Sequence, residues 1–281
     1  MKACLGATAN SPHTHTATHS MTEQSSKRAI IVFDIDGVIR DVSGSYRRAL
    51  ADTVEHFTQV YRPTPVDIDQ LKSEGIWNND WEASQELIHR YFEAQGQPRE
   101  HLQDYETIVA FFQSRYRGTD PNQMTGYICD EPLLLQPQYL ESLTQAGFLW
   151  GFFSGATRTS ATYVLQGRLG LQSPVLIAME DAPGKPDPTG LFMAIKEIES
   201  SQDMSTVFYV GDTVADMYTV EKARSLEPQR KWVAVGVLPP HVQKIPFRRN
   251  AYAEMLIGAG ADVVFCNVED LTPVRIQSLI G

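Results

Sequence analysis

Asp34 and Asp36 stand two positions apart at the end of an apolar run, Ala29-Ile30-Ile31-Val32-Phe33, and Gly37 follows at once. A short continuous apolar run predicts a parallel strand buried on both faces. Ligands of open parallel sheets gather beyond the carboxyl ends of the strands, and both aspartates fall there. Two neighbouring carboxylates are costly in a buried place, so the pair calls for a cation.

Three further stretches offer matching chemistry. Ser154-Gly155-Ala156 follows the apolar run 148–153, Gly184-Lys185-Pro186-Asp187-Pro188 follows 174–179, and Gly211-Asp212-Thr213-Val214-Ala215-Asp216 follows 206–210. Hard oxygen ligands without a cysteine or histidine cluster select magnesium over zinc. A lysine and a hydroxyl beside magnesium form a phosphate-binding set. Enzymes accelerate phosphate monoester hydrolysis by up to ~10²¹-fold, whereas one general acid supplies only about 10²–10⁴. Such a reaction needs a whole constellation. Read singly, Ser154 caps a helix, the Lys185 stretch is a turn, and Asp216 is an outer support. Their shared placement at strand ends argues for a site.

The elements that position these residues follow a simple plan. Apolar residues at helical spacing fill the region after the first strand: Tyr46, Leu50, Val54 and Phe57, then Trp81, Leu87 and Ile88, then Leu102, Tyr105, Ile108 and Phe112. Thr64-Pro65-Val66-Asp67 reads as one helix start, and Asp80 as the cap of the next helix. No strand pattern interrupts this stretch, so 44–130 is expected to be an inserted helical domain. From about 135 onward strands at 148–153, 174–179, 206–210, 232–237 and 262–266 alternate with helices. That alternation predicts an α/β fold, a doubly wound parallel sheet built from 28–43 and 131–281. Residues 1–27, rich in Ser, Thr and His, are expected to be a disordered tail, with His13, His15 and His19 fixed by nothing.

Composition narrows the function. The chain has 281 residues and a formal net charge of −10, which argues against a general nucleic-acid binder. Cys4, Cys129 and Cys266 match no zinc or disulfide spacing, so reduced thiols in a cytoplasmic protein are expected. No apolar run approaches the roughly 18 residues of a membrane span, and none makes a secretory core near the N-terminus.

Together these motifs resemble the haloacid dehalogenase superfamily, in the branch of phosphoglycolate phosphatases and β-phosphoglucomutases, which carries a helical cap after the first motif. Asp34-Ile35-Asp36-Gly37-Val38 matches the first motif, Ser154 the second, Lys185 the third and Gly211–Asp216 the fourth. The resemblance spans roughly 29–270 and implies a Rossmann-like core. It implies that Asp34 attacks phosphorus and becomes an aspartyl-phosphate, and that Asp36 protonates the leaving oxygen and then activates water. Ser154, Gly155 and neighbouring amides would hold phosphate oxygens, and Lys185 would neutralise nucleophile and phosphate. Asp34, the Asp36 carbonyl and Asp212 would bind Mg2+, with Asp216 joining or orienting that shell. β-Phosphoglucomutases have a histidine twelve residues after the nucleophile, where this chain has Tyr46. Hydrolysis of a small phosphorylated metabolite is therefore expected; a phosphomutase and a catalytically weak sensor are the alternatives. Specificity is expected from the cap, through Asn78 and Asn79, with Arg47 reaching a second anionic group. Cap hinges are expected near Gly44 and 118–132.

Overall fold

The computed structural model describes residues 29–99, 104–120, 122–199 and 206–281. The expected tail, with Cys4 and its histidines, lies outside these residues, as does Leu102. Strand β1 is Ala29–Phe33, and all five of its residues are fully buried. Four helices follow among the described residues: α1 (Tyr46–Thr58), α2 (Pro65–Lys72), α3 (Asp80–Ala94) and α4 (Tyr105–Tyr116). A 3-10 turn, Tyr127–Asp130, leads to α5 (Pro137–Gln145) and β2 (Leu149–Phe153). Helix α6 (Arg158–Thr162) runs on as a π-helical stretch over Tyr163–Arg168 before β3 (Leu176–Ile177). Then come α7 (Thr189–Ile198), β4 (Thr206–Gly211), α8 (Val214–Leu226) and β5 (Trp232–Val237). The chain ends through α9 (Pro240–Gln243), α10 (Pro246–Gly258), β6 (Val263–Phe265) and α11 (Pro273–Ile280).

The described strands form one sheet in the order β3-β2-β1-β4-β5-β6, and every pairing is parallel. Alternation along β1 sends Ile31 and Phe33 to one face and Ile30 and Val32 to the other. The first face packs against Leu140 and Leu143 of α5 and Ile276 of α11. The second packs against Leu191 of α7, Met217 and Val220 of α8, and Leu256 of α10. Each such buried side chain contributes roughly 1.5–3 kcal/mol over an exposed one. A third core, built on Leu50, Val54, Leu87, Ile88, Ile108 and Phe112, belongs to α1–α4. These four helices form a helical lobe with its own interior, inserted between β1 and β2.

Two expectations need correction. The strand expected over 174–179 is only Leu176–Ile177, paired with Phe152 and Phe153 of β2 alone. It is an edge strand, and Asp181 takes the Ala178 N–H at 2.7 Å where the ladder would continue. The residue capping α3 is Asn79, whose Oδ1 accepts the Trp81 N–H at 3.0 Å, and Asp80 is the first helical residue. Helices α9, α10 and α11 carry Pro240, Pro246 and Pro273 in their first turns, where the missing N–H costs no helical hydrogen bond.

Candidate active site

The strand order reverses beside β1, where β2 lies on one side and β4 on the other. This switch point opens a crevice at the carboxyl ends of the strands. Asp34 directly follows β1 and donates its N–H to Val210 O at 2.8 Å, which pins it to β4. Asp212 follows β4 directly. Asp34, Asp212 and Asp216 are all buried, and each offers a carboxylate oxygen within 4.8 Å of the other two.

Lys185 is the cation of this cluster. Its Nζ lies 2.9 Å from Asp34 Oδ1 and donates to Asp216 Oδ1 at 2.7 Å. The neighbouring rings of Phe153 and Tyr209 both face it, each centred 5.4 Å away. Burial alone would lower the lysine; Asp216 and Asp34 more than reverse this and keep it charged.

Asp216 is fully engaged. Its Oδ2 accepts the N–H and hydroxyl of Thr213, at 2.9 and 2.7 Å, closing a capping box on α8. Its Oδ1 accepts from Lys185 and, at 3.2 Å, from the Tyr209 hydroxyl. The Asp212 carboxylate, in contrast, has no hydrogen-bond donor among the described residues. Burial raises Asp212 well above the carboxylate range, with Asp216 and Asp34 adding to the rise. Burial likewise pushes Asp34 up to about 7, against the pull of Lys185 and with the Asp216 and Asp36 charges helping.

Three buried carboxylates facing one lysine leave negative charge uncompensated, and that donor set fits a divalent cation. Asp36 is outside the carboxylate triad. Its side chain turns to Arg40, whose Nε donates to Oδ1 at 2.6 Å. Gly37 sits at φ +76°, and a Cβ there would lie 2.0 Å from Asp212 Oδ2. Only glycine leaves room for that carboxylate.

Ser154 is buried at the end of β2, and its Oγ accepts the Ala156 N–H at 3.2 Å. Two cavities adjoin this loop. One, about 70 Å³, is lined by Asp34, Asp36 and Asp212 and by Arg47, Lys72 and Asp80 of the helical lobe. The other, about 340 Å³, is lined by Ser154 and Lys185 and by Ile76 and Glu82 of the lobe. Asn78, Asn79 and Gly155 border both.

The expected lobe residues fare differently. Asn79 is spent on capping α3, and its Nδ2 reaches the Tyr105 hydroxyl at 3.5 Å. Asn78 makes no hydrogen bond to a described residue, and its Nδ2 would lie 3.3 Å from a Cβ placed on Gly155. Arg47 lines the first cavity, but its Nη2 meets Asp69 Oδ1 at 2.5 Å. Lys72 pairs with Asp80 at 2.9 Å.

Tyr209, Tyr252, Arg40 and Glu131 carry the site's outer contacts, and sequence reasoning missed all four. Tyr252 of α10 donates its hydroxyl to Asp212 O at 3.1 Å. Glu131 accepts from Arg40 at 2.8 Å across 91 positions. Periodicity places Tyr209 on the face of Val207, but neither long-range pair leaves a local signal. Tyr46, buried, stacks on Tyr116 with ring centres 3.9 Å apart.

Residues 29–224 match the haloacid dehalogenase-like hydrolase family, and the chain belongs to it. It is 32% identical over 241 residues to a Phytophthora nicotianae protein named imidazoleglycerol-phosphate dehydratase, covering 83% of this chain and 49% of that one. The chain thus spans about half the length of the curated relative it matches. Among solved structures it is similar to a phosphonoacetaldehyde hydrolase-like protein from Oleispira antarctica, at 16% identity and TM-score 0.66 over 91% of this chain and 94% of that one. It is also similar to phosphatase Tt82 from Thermococcus thioreducens, at 23% identity and TM-score 0.57 over 79% and 98%. Those two likenesses are of fold. Among the described residues no helix is long and apolar enough to cross a membrane.

Proposed function

We propose that the protein is a magnesium-dependent phosphatase of a small phosphorylated metabolite, working through an aspartyl-phosphate on Asp34. The observation that carries this reading is the placement of Lys185 between Asp34 and Asp216, 2.9 and 2.7 Å away, with Asp212 left without a donor on the same rim. Asp34, Asp212 and the main-chain carbonyl of Asp36 would hold the cation, while Asp216 orients Lys185 from behind. When bound, the cation screens the Asp34 charge from an incoming phosphate.

A carboxylate is a weak nucleophile, yet it splits one difficult displacement into two easier ones. Lys185 holds Asp34 in place and neutralises a phosphate oxygen. Ser154 and the amides after it cradle the remaining oxygens. Asp36 gives its proton to the leaving oxygen and afterwards draws one from the attacking water. The helical lobe acts as the cap, and Asn78 meets the leaving group across Gly155. Tyr46, stacked on Tyr116, supplies no imidazole for proton relay to a second hydroxyl, which favours hydrolysis over a mutase.

Phosphate release from a panel of monoesters, with and without magnesium and beside Asp34→Asn, tests the reading. Sugar phosphates, phosphoglycolate, nucleotides and amino-alcohol phosphates belong in the panel. Imidazole-bearing monoesters join them because of the name carried by the half-matched relative. Magnesium-dependent release that vanishes in Asp34→Asn is expected. Release that survives the substitution removes Asp34 as nucleophile.

A further inference from the structure

Arg40 heads the fully buried side chains of the described residues by volume. Its guanidinium joins two carboxylates. Nε and Nη2 lie 2.6 and 2.5 Å from the single oxygen Asp36 Oδ1, and Nη1 donates to Glu131 Oε2 at 2.8 Å. Glu131, also buried, accepts the Ser45 hydroxyl through its other oxygen. Tyr46 and Tyr116, stacked on each other, lie on one side of the guanidinium, their rings centred 5.4 and 5.8 Å away. Around this group the segments entering and leaving the helical lobe run side by side. Asp41 N donates to Pro132 O at 2.9 Å and Leu134 N to Ile39 O at 2.8 Å.

Stability does not explain the arrangement. A buried ion pair is often no better than apolar residues of similar volume, because desolvation offsets the attraction. What the arginine does supply is geometry. Asp36 Oδ1 is clamped, whereas Oδ2 takes no hydrogen bond from a described residue, and Asp36 lines the same cavity as Asp34.

We infer that Arg40 is a positioning residue for Asp36, a fork anchored to both lobe linkers through Glu131 and Ser45 that leaves one Asp36 oxygen free to face the leaving group. The inference rests on the phosphatase reading above. It ties the aim of the proton donor to the path of the two linkers, so a shift of the lobe re-aims Asp36.

The test compares an alkyl phosphate with a nitrophenyl phosphate in Arg40→Lys and Glu131→Gln. An alkoxide leaves poorly unless protonated; a nitrophenolate leaves unaided. kcat/KM is the readout, because it covers only the steps up to departure of the first product. A lysine cannot bridge two carboxylates as the fork does. kcat/KM for the alkyl ester is expected to fall about 10²-fold, the scale of a small misplacement, and for the aryl ester by less than about threefold. Glu131→Gln, which keeps the shape and frees the anchor, is expected to show the same split, and it decides alone if Arg40→Lys does not fold. Equal losses on both esters in a folded variant, or no loss on either, overturn the inference. Wild-type protein inert towards every monoester with magnesium present removes the phosphatase reading instead.

Discussion

Arg248 of α10 and Asp69 of α2 are joined across the boundary between sheet layer and helical lobe, Nη2 to Oδ2 at 2.6 Å. His241 Nε2 meets the other Asp69 oxygen at 3.0 Å, where Arg47 also arrives. One carboxylate of the lobe thus gathers two groups of the core. Burial alone would raise Asp69; the His241 bond and Arg47 reverse that and hold it below its ordinary value. Burial lowers His241 below the usual histidine range; its bond to Asp69 opposes this, and Arg47 and Arg248 reinforce it. Both folded values are depressed, so the unfolded chain binds more protons in each window and stability rises with pH there. The contribution of this pair to stability is expected to fall as pH drops below about 6.5, and again below the carboxylate range of about 3.9, on top of the opposite contribution of the raised Asp34 and Glu131 carboxylates. Denaturant titrations across pH should show the stability of the wild type relative to His241→Gln declining as pH drops below about 6.5. A difference between wild type and His241→Gln that stays constant through that window sinks this account of the latch.

The unpartnered Asp212 carboxylate makes a second expectation. Its folded pKa is raised, so without metal its contribution to stability declines as pH rises above the ordinary carboxylate value. Magnesium bound only by the native state reverses this by mass action, about 2.7 kcal/mol at a hundred times Kd. Thermal melts at neutral pH should show Tm rising with magnesium in the wild type. Asp212→Asn should start at least as stable without metal and gain nothing from it. A full magnesium shift in Asp212→Asn removes Asp212 from the metal site.

The sheet and the rim were legible in the sequence because their causes are local. Ala29–Phe33 must be buried on both faces, and the residue after such a strand reaches the rim whatever else surrounds it. Asp212 and Asp216 are likewise placed by one strand end and one capping box. Arg40 was not legible, since its partner Glu131 lies 91 positions on and only the return of the chain brings them together. Asn79 and Asp80 show a finer limit. Both are good N-cap types, and the backbone turn at Asn79, φ −77° and ψ 116°, decides between them. The dual character of Asp216, candidate ligand by motif and Lys185 anchor by contact, emerges only from counting its four hydrogen bonds.

Gly37 separates the fold from the proposed metal site. Its φ of +76° costs an alanine about 1–2 kcal/mol. The new Cβ would lie 2.0 Å from Asp212 Oδ2 and push that carboxylate aside. Gly37→Ala is therefore expected to fold with a modestly lower Tm, yet to lose most of its magnesium-dependent Tm gain. Retention of the whole gain means that Asp212 has freedom the close approach denies.

Asn78 and Asn79 make the sharpest comparison because they differ in position by one residue and in employment entirely. Asn79 caps α3, so Asn79→Ala should cost about 0.5–2 kcal/mol of stability. Asn78 holds nothing in the lobe and faces Gly155, so Asn78→Ala should stay within about 0.5 kcal/mol of the wild type. Kinetics should invert that order. A lost contact to the leaving group raises KM, or lowers kcat where the contact tightens in the transition state. Asn78→Ala is expected to change one of these several-fold on the preferred monoester and little on inorganic phosphate as an inhibitor, which has no leaving group to lose. Asn79→Ala is expected to leave both near the wild type once assayed well below its Tm. Should the kinetic loss fall on Asn79 instead, substrate contact belongs to the capping residue and the lobe must close differently over the site.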